Sequence, residues 1–170
     1  MRIELENLGK GGEFAQVYQP GELNLDEHDL ALVGPVECHG RAHKKSEEVE
    51  LLGRLSARIE APCARCLKPV ELPIAADFSE RFVPAVSWRS EEQHELREED
   101  LNLAVFNGEA IELDDLVREE ILLAVPAQLV CRENCKGLCP DCGVDRNLGE
   151  CYCETRQVDS RWQALKDLRF

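Results

Sequence analysis

Eight of the nine cysteines in this chain of 170 residues fall into two groups, and this grouping restricts the possible folds more than any other feature. The groups are Cys63 with Cys66, and the six residues Cys131, Cys135, Cys139, Cys142, Cys151 and Cys153. A structural zinc ion binds four ligands in a tetrahedron, and short spacings such as C-x-x-C direct two thiolates at one point. The pattern therefore predicts two metal sites of four cysteines each, and we expect two structural zinc ions.

Chain order favours one assignment of the cysteines to the two sites. It joins Cys63 and Cys66 with Cys131 and Cys135, and it leaves Cys139, Cys142, Cys151 and Cys153 as the second site. Gly143 directly follows Cys142, where a metal-binding turn needs a residue that tolerates positive φ. In the alternative assignment, one site takes four of the six C-terminal cysteines, and the first pair remains a dithiol. An iron-sulfur cluster also binds four thiolates and is the second choice of metal.

The overall composition is consistent with a small protein that needs metal to stabilise it. Apolar residues make up 44% of the chain, but aromatic residues contribute only 5%. Residues 1–7 alternate charged and apolar side chains, unlike a secretory signal, and no run of apolar residues predicts a membrane-spanning helix. We therefore expect a cytoplasmic protein, in which reduced thiols are free to bind metal. Cys38 has no cysteine nearby, and we expect it to be a small, half-buried and inert residue of a strand.

Apolar periodicity predicts an α+β fold. Residues 49–60 and 70–82 alternate apolar and polar side chains, so they predict a β-hairpin with Cys63 and Cys66 at its tip. Residues 113–125 predict the main helix, because acidic residues begin it, apolar residues recur along it and a proline ends it. The expected architecture is an antiparallel β-sheet, or a partly open barrel, packed against this one helix.

The same patterns divide the chain into two regions. Residues 1–130 are expected to form the sheet domain with its covering helix and an acidic loop at about 84–100, where apolar periodicity is absent. Residues 131–170 are expected to form a cysteine-rich zinc-binding tail, which is too short to bury a core without metal. Within this tail, residues 159–168 predict a short amphipathic helix.

The charge distribution bears on the kind of partner. A formal net charge of −14 argues against binding nucleic acid through overall charge, because such binding depends on Lys and Arg. Residues 41–68 nevertheless contain seven basic residues against four acidic ones. They supply a candidate face for RNA or another partner: Arg41, Lys44, Lys45, Arg54, Arg58, Arg65 and Lys68. An ordinary solvated surface gives the same pattern, and the acidic residues within 91–100 suit a basic protein partner instead.

No residue pattern indicates an enzyme or a small-molecule substrate. A catalytic zinc site keeps one position open for water and often uses histidine or carboxylate ligands, whereas cysteine would fill both of these sites. A C-x-x-C dithiol can exchange disulfides, but that motif normally begins a helix, and Cys63 and Cys66 lie between two predicted strands. We therefore expect a non-enzymatic protein, and a thiol redox or metal-handling protein is the alternative.

Several motifs, taken in order, carry a family resemblance. They are residues 63–70 (CARCLKPV), residues 115–126 (DLVREEILLAVP), residues 135–143 (CKGLCPDCG), Asn147 followed by Cys151 and Cys153, and residues 159–165. In order and spacing they resemble the YceD family, called large ribosomal RNA subunit accumulation proteins. The resemblance implies a ribosome biogenesis factor that supports accumulation of large-subunit (23S) ribosomal RNA, with that RNA or a basic ribosomal protein as its partner. It implies no known reaction.

Overall fold

The computed structural model describes residues 2–4, 11–89, 102–107, 109–153 and 161. The strands within these ranges are β1 (Arg2–Glu4), β2 (Gly11–Tyr18), β3 (Ala31–Leu32), β4 (Val36–Lys45), β5 (Glu48–Pro62), β6 (Pro69–Pro84), β7 (Leu103–Phe106) and β8 (Ala110–Glu112). The helices are α1 (Ala85–Arg89) and α2 (Leu113–Ala124). The α+β class expected from the sequence is confirmed.

Strands β5 and β6 form a long antiparallel hairpin that ends at the cysteine region. Their register runs from Val49 opposite Phe82 to Pro62 opposite Pro69, and residues 63–68 form the turn. Because side chains alternate along a strand, one face of this hairpin is buried and the other is exposed. The predicted hairpin with Cys63 and Cys66 at its tip is therefore present.

The main sheet has the strand order β2-β4-β5-β6-β7, and β3 also pairs with β5. Its pairs are antiparallel except β6 with β7, which run parallel, with Arg81 opposite Leu103. Strand β7 pairs only with residues 81–84, the last residues of β6. Earlier in β6, Pro69 and Pro73 therefore need no ladder hydrogen bond to a second neighbour. Strands β1 and β8 form a separate antiparallel pair.

Helix α2 packs on the main sheet beside β6, and it begins and ends close to the expected range of 113–125. Its buried side chains, Leu113, Leu116, Val117 and Ile121, join one apolar cluster with Val49, Leu51, Leu55 and Ile59 of β5. The hydroxyl of Tyr18 in β2 donates to Oδ1 of Asp114 at 2.7 Å, which ties the far edge of the sheet to the helix. This arrangement is the predicted sheet covered by one main helix.

Cys38 lies in a strand, as the sequence predicted, but it is buried in this core and not half-buried. Its side chain is only 2% exposed, and burial raises the pKa of its thiol to about 11. A thiol that stays protonated and inaccessible is inert. Cys38 is therefore a packing residue of β4.

The segment expected to be an acidic loop is in part a helix. Residues 85–89 form α1, which directly follows Pro84, the last residue of β6. Ser87 Oγ lies 3.3 Å from Oε2 of Glu47, which holds α1 against the β4–β5 turn. The rest of the predicted loop, residues 90–100, and the predicted helix at 159–168, apart from residue 161, lie outside the described residues. The division at residue 130 stays a prediction.

Candidate metal centre

The first group of four cysteines, called here the first tetrad, consists of Cys63, Cys66, Cys131 and Cys135. The β5–β6 turn supplies one pair, and the segment after α2 supplies the other. All four sulfur atoms lie within 4.8 Å of one another. Sγ of Cys63 lies 3.9 Å from Sγ of Cys135, and Sγ of Cys66 lies 3.7 Å from Sγ of Cys131. Tetrahedral Zn–S bonds of about 2.3 Å require about 3.8 Å between sulfurs, so one ion fits this site.

Backbone hydrogen bonds around Cys63 hold Cys63 and Cys66 in a tight turn. The N–H of Cys63 donates to Lys68 O at 2.8 Å, and the N–H of Leu67 donates to Cys63 O at 2.9 Å. Leu67 closes the turn at a φ of 61°, which is rare for a residue other than glycine. The N–H groups of Arg65 and Cys131 both lie 3.4 Å from Cys63 Sγ and point at it. The turn is thus shaped to stabilise a thiolate.

The second group, called the second tetrad, consists of Cys139, Cys142, Cys151 and Cys153, whose sulfur atoms also lie within 4.8 Å of one another. A similar turn organises it, because the N–H of Gly143 donates to Cys139 O at 2.9 Å and the N–H of Cys139 donates to Val144 O at 2.8 Å. Gly143 has a φ of 73°, as the sequence predicted. The two tetrads are the grouping that chain order favoured.

The two tetrads differ in burial. In the first, Cys63, Cys66 and Cys135 are buried and pack against the apolar side chains Val70, Val130 and Leu138, while Cys131 is exposed. In the second, only Cys139 is buried, while Cys142 and Cys153 are exposed. The first tetrad therefore stands inside a small apolar core of its own, and the second lies at the protein surface.

Within each tetrad, hydrogen bonds and the closeness of the sulfur atoms lower the pKa of some thiols and raise the pKa of others. The backbone N–H of Cys131 lowers the pKa of Cys63 to about 6, and the N–H of Cys142 lowers that of Cys139 to about 6. By contrast, a hydrogen bond with the Cys142 side chain raises the pKa of Cys153 to about 12. Four thiolates this close repel one another unless a cation lies between them, so each site favours a divalent metal that replaces the protons.

A model of the family described as "Large ribosomal RNA subunit accumulation protein YceD" matches residues 51–169, which include both tetrads. The chain belongs to the YceD family. It is 31% identical over 157 residues to the uncharacterized protein YlbN of Bacillus subtilis (strain 168), covering 92% of this chain and 87% of YlbN. It is 29% identical over 173 residues to the uncharacterized protein Rv2926c of Mycobacterium tuberculosis (strain ATCC 25618 / H37Rv), covering 99% and 81%. No solved structure gives a significant match.

Asn147 is a site residue that the sequence analysis quoted only as part of the YceD resemblance. Its Nδ2 donates to Cys135 Sγ at 3.4 Å and to Asp145 Oδ1 at 2.7 Å. Its Oδ1 accepts from the backbone N–H of Lys136 at 2.9 Å and from Nη2 of Arg132 at 2.7 Å. One amide in the loop between two ligands of the second tetrad therefore supports a ligand of the first. Nothing in local spacing predicts this contact.

Asp145 makes a second link between the two tetrads. Lys68 Nζ, two residues after Cys66, lies 2.7 Å from Asp145 Oδ2. This ammonium, helped by the backbone N–H of Asn147, lowers the pKa of the Asp145 carboxyl to about 2. Asp145 is therefore ionised at neutral pH and holds the loop on the β5–β6 turn.

Arg65 also links the β5–β6 turn to the segment that supplies Cys131 and Cys135, by hydrogen bonds to backbone groups of that segment. Its Nη1 donates to the carbonyls of Glu133 at 3.1 Å and Cys135 at 2.9 Å, and its own carbonyl accepts the N–H of Leu138 at 3.0 Å. Arg65, one of the seven residues of the candidate face for RNA or another partner, thus spans the two halves of the first tetrad.

The seven candidate basic residues lie on β4, on β5 and in the cysteine turn. Arg41, Arg54 and Arg58 lie on the exposed side of the main sheet, Lys44 and Lys45 end β4, and Arg65 and Lys68 belong to the cysteine turn. Arg54 binds both carboxylate oxygens of Asp77 at 2.6 and 2.9 Å, and Arg41 Nε lies 3.3 Å from Glu13 Oε1. Much of the local basic excess is therefore neutralised by carboxylates.

Within the described residues, none of the helices is long and apolar enough to cross a membrane.

Proposed function

We propose that this YceD-family protein is a non-enzymatic ribosome biogenesis factor that supports the accumulation or processing of large-subunit (23S) ribosomal RNA. The observation that carries the proposal is the pair of four-cysteine sites, one of them at the tip of the β5–β6 hairpin, in a chain that the family model matches over residues 51–169. Four cysteine ligands fill a tetrahedral site, which suits a structural role and leaves no position for a reacting water. The proposal places the protein in the cytoplasm, where bacterial ribosomes assemble.

The metal that we propose is zinc, with one ion in each tetrad. Thiolate sets of this kind select zinc or an iron-sulfur cluster. A cluster places several iron and sulfide atoms between its cysteine ligands and needs a wider set of sulfurs than one within 4.8 Å. The spacing in both tetrads suits a single tetrahedral ion.

A basic ribosomal protein is the partner that the charges favour over RNA. The formal net charge of −14 counts cysteine as neutral, and a divalent ion bound by four thiolates adds a formal charge of about −2 at each site. Arg41, Arg54 and Lys68 each lie beside a carboxylate. RNA binding depends on Lys and Arg that neutralise phosphates. An acidic metal-loaded surface therefore suits a partner rich in lysine and arginine.

Tyr152 is the side chain that we propose for contact with this partner. It is 99% exposed, although its neighbours Cys151 and Cys153 are both members of the second tetrad. Metal binding would fix the backbone on both sides of the ring, so little entropy is lost when a partner packs on it. An exposed tyrosine ring also attracts lysine or arginine through its face.

A thiol redox role is the alternative, and the burial of the first tetrad does not favour it. Disulfide exchange needs an accessible thiolate. Cys63 is fully buried and Cys66 is only 5% exposed.

Depletion of the protein in its own bacterium tests the ribosomal role. We expect the ratio of mature 23S to 16S ribosomal RNA to fall, and we expect wild-type protein to restore it. A variant with Cys63→Ser and Cys66→Ser should fail to restore the ratio, whereas Cys38→Ala, which alters a packing cysteine outside both tetrads, should restore it. An unchanged ratio after depletion would show that the protein has no such role.

Affinity capture after nuclease treatment tests the choice of partner. We expect a ribosomal protein to remain bound after RNA is digested and to dissociate as salt increases. Tyr152→Ala should weaken this capture, while Tyr152→Phe, which keeps the ring, should preserve it. Loss of all bound material on nuclease treatment would instead identify RNA as the direct partner.

A further inference from the structure

We propose that the two tetrads bind metal cooperatively: a metal ion in the second tetrad strengthens binding at the first, and Asn147 is the positioning residue that transmits the effect. This inference concerns the coupling between the centres and does not depend on the ribosomal role. Three of the four cysteines of the first tetrad are buried, with Cys131 exposed, whereas Cys139 alone is buried in the second. The exposed site would thereby control the site that holds the hairpin tip.

The first step is the anchoring of the loop 143–150, which joins Cys142 to Cys151. A metal ion in the second tetrad would fix both ends of this loop, because both flanking cysteines belong to that tetrad. Asp145 organises its interior, since Asp145 O accepts the N–H groups of Leu148 at 3.0 Å and Gly149 at 3.3 Å, and its Oδ1 accepts the N–H of Asn147 at 2.9 Å. With metal at both ends and the hydrogen bonds of Asp145 inside it, the loop would keep its side chains in one conformation.

The second step is the reach of Asn147 from this loop to the first tetrad. Its Nδ2 donates to Cys135 Sγ at 3.4 Å. Its Oδ1 holds Arg132 and Lys136, which directly follow Cys131 and Cys135 in the chain. One side chain therefore orders the whole segment that supplies the second pair of ligands. Groups that orient metal ligands in this way typically change metal affinity about 10- to 100-fold when they are removed.

The third step is the link to the other pair of ligands. Asp145 lies 2.7 Å from Lys68, which follows Cys66 in the β5–β6 turn. Asn147 and Asp145 therefore reach the two halves of the first tetrad from one loop. When the second tetrad holds metal, the cost of ordering this loop is already met, so the first tetrad binds metal more tightly. By linkage, metal in the first tetrad strengthens binding at the second by the same factor.

Cobalt(II) titration of the metal-free full-length chain, kept reduced, tests this coupling. The absorption of thiolate-bound cobalt reports loading, and competition with a chelator gives the affinity. With the second tetrad disabled by Cys142→Ser and Cys153→Ser, we expect the first tetrad to bind cobalt about 10- to 100-fold more weakly than in the wild type. Unchanged affinity of the first tetrad in this variant would overturn the proposal.

A double-mutant cycle assigns the coupling to Asn147. In an Asn147→Ala background, disabling the second tetrad should cause little further loss of affinity at the first, because the connection is already cut. If the loss is as large as in the wild-type background, Asn147 does not transmit the effect. Asn147→Asp keeps the shape but removes the N–H donor to Cys135, so it should shift the cobalt absorption of the first tetrad while circular dichroism shows an unchanged fold. Arg146→Ala, at the adjacent exposed position, is the matched control and should leave affinity and absorption unchanged.

Discussion

Gly137 lies against the backbone carbonyl of Arg65: a Cβ on Gly137 would lie 2.8 Å from that oxygen. Gly137 also has a φ of 71°, in the left-handed region that side chains disfavour. This close approach joins the segment between the two tetrads to the β5–β6 turn. The glycine between Lys136 and Leu138 is therefore required for space as well as for backbone conformation.

Gly143 provides a matched control for this contact. Its φ is 73°, but a Cβ there would meet no atom within 4 Å. Gly143→Ala should lower the free energy of unfolding by about 1–2 kcal/mol, the cost of left-handed backbone. Gly137→Ala should cost clearly more, because the same strain is joined by a clash with the Arg65 carbonyl. Urea denaturation of the metal-loaded variants measures both, and equal losses would show that the close approach is unimportant.

Metal content should be two zinc ions per chain, because each tetrad offers four sulfurs at tetrahedral spacing. Elemental analysis together with the absorption spectrum checks this number and the metal. A brown protein, or one ion per chain, would contradict the expectation. A chelator should then make eight further thiols reactive.

The two tetrads should differ in their importance for stability. The first ties the β5–β6 turn to the segment after α2 and is largely buried, whereas the second lies at the surface. Cys66→Ser should therefore lower the melting temperature of the metal-loaded protein more than Cys153→Ser. Calorimetry on both variants tests the order. A larger effect of Cys153→Ser would mean that the exposed site carries the fold.

Cys38 should make stability fall at alkaline pH. Its thiol pKa is raised to about 11 by burial, from an ordinary value of 9.0. Between these pH values the unfolded chain releases a proton that the folded chain retains. The contribution of Cys38 is thus complete below about pH 9 and is lost as the pH rises through about 11. The stability difference between wild type and Cys38→Ala, measured by urea denaturation across this range, should therefore shrink with increasing pH; a constant difference would mean that the thiol is not shielded.

The hydrogen bond from Tyr18 to Asp114 should contribute measurably to the packing of α2. Hydrogen bonds to charged groups contribute about 1.5–3 kcal/mol, and this one is 2.7 Å long and partly buried. Tyr18→Phe should lower the free energy of unfolding by about that amount, because it removes only the hydroxyl. Thermal denaturation provides the measurement, with Tyr152→Phe as the control at an exposed tyrosine. Equal stability of the two variants would show that the contact contributes nothing.

The sequence predicted correctly those elements whose pattern of residues repeats within a few positions. Alternation along 49–60 and 70–82 predicted the β5–β6 hairpin, and the acidic start and apolar repeat of 113–125 predicted α2. The C-x-x-C spacings likewise predicted that cysteines converge in fours. The sequence predicted a loop at 85–89, where the structure has a helix whose Ser87 contacts Glu47 of the distant β4–β5 turn.

The sequence did not predict which charged side chains pair with one another in the folded protein. Residues 41–68 hold an excess of basic side chains, but folding places Asp77 beside Arg54, Glu13 beside Arg41 and Asp145 beside Lys68. These carboxylates lie on other strands or in the distant cysteine segment, so no count along the chain predicts the pairing. Three of the seven residues of the candidate face therefore lie beside carboxylates, and the face itself stays a prediction.

Sequence patterns predicted the metal-binding cysteines, the strands of the hairpin and the main helix, and they carried the family resemblance, but they left two assignments of the cysteines to sites open. These depend on periodicity and spacing, which act over a few residues. The folded structure shows which cysteines share a site, that Asn147 supports Cys135, that Asp145 meets Lys68 and that Arg65 spans the first tetrad. Those contacts depend on how the β5–β6 turn and the segment after α2 meet in space. The direction of a single side chain across that junction has no periodic signal in the sequence.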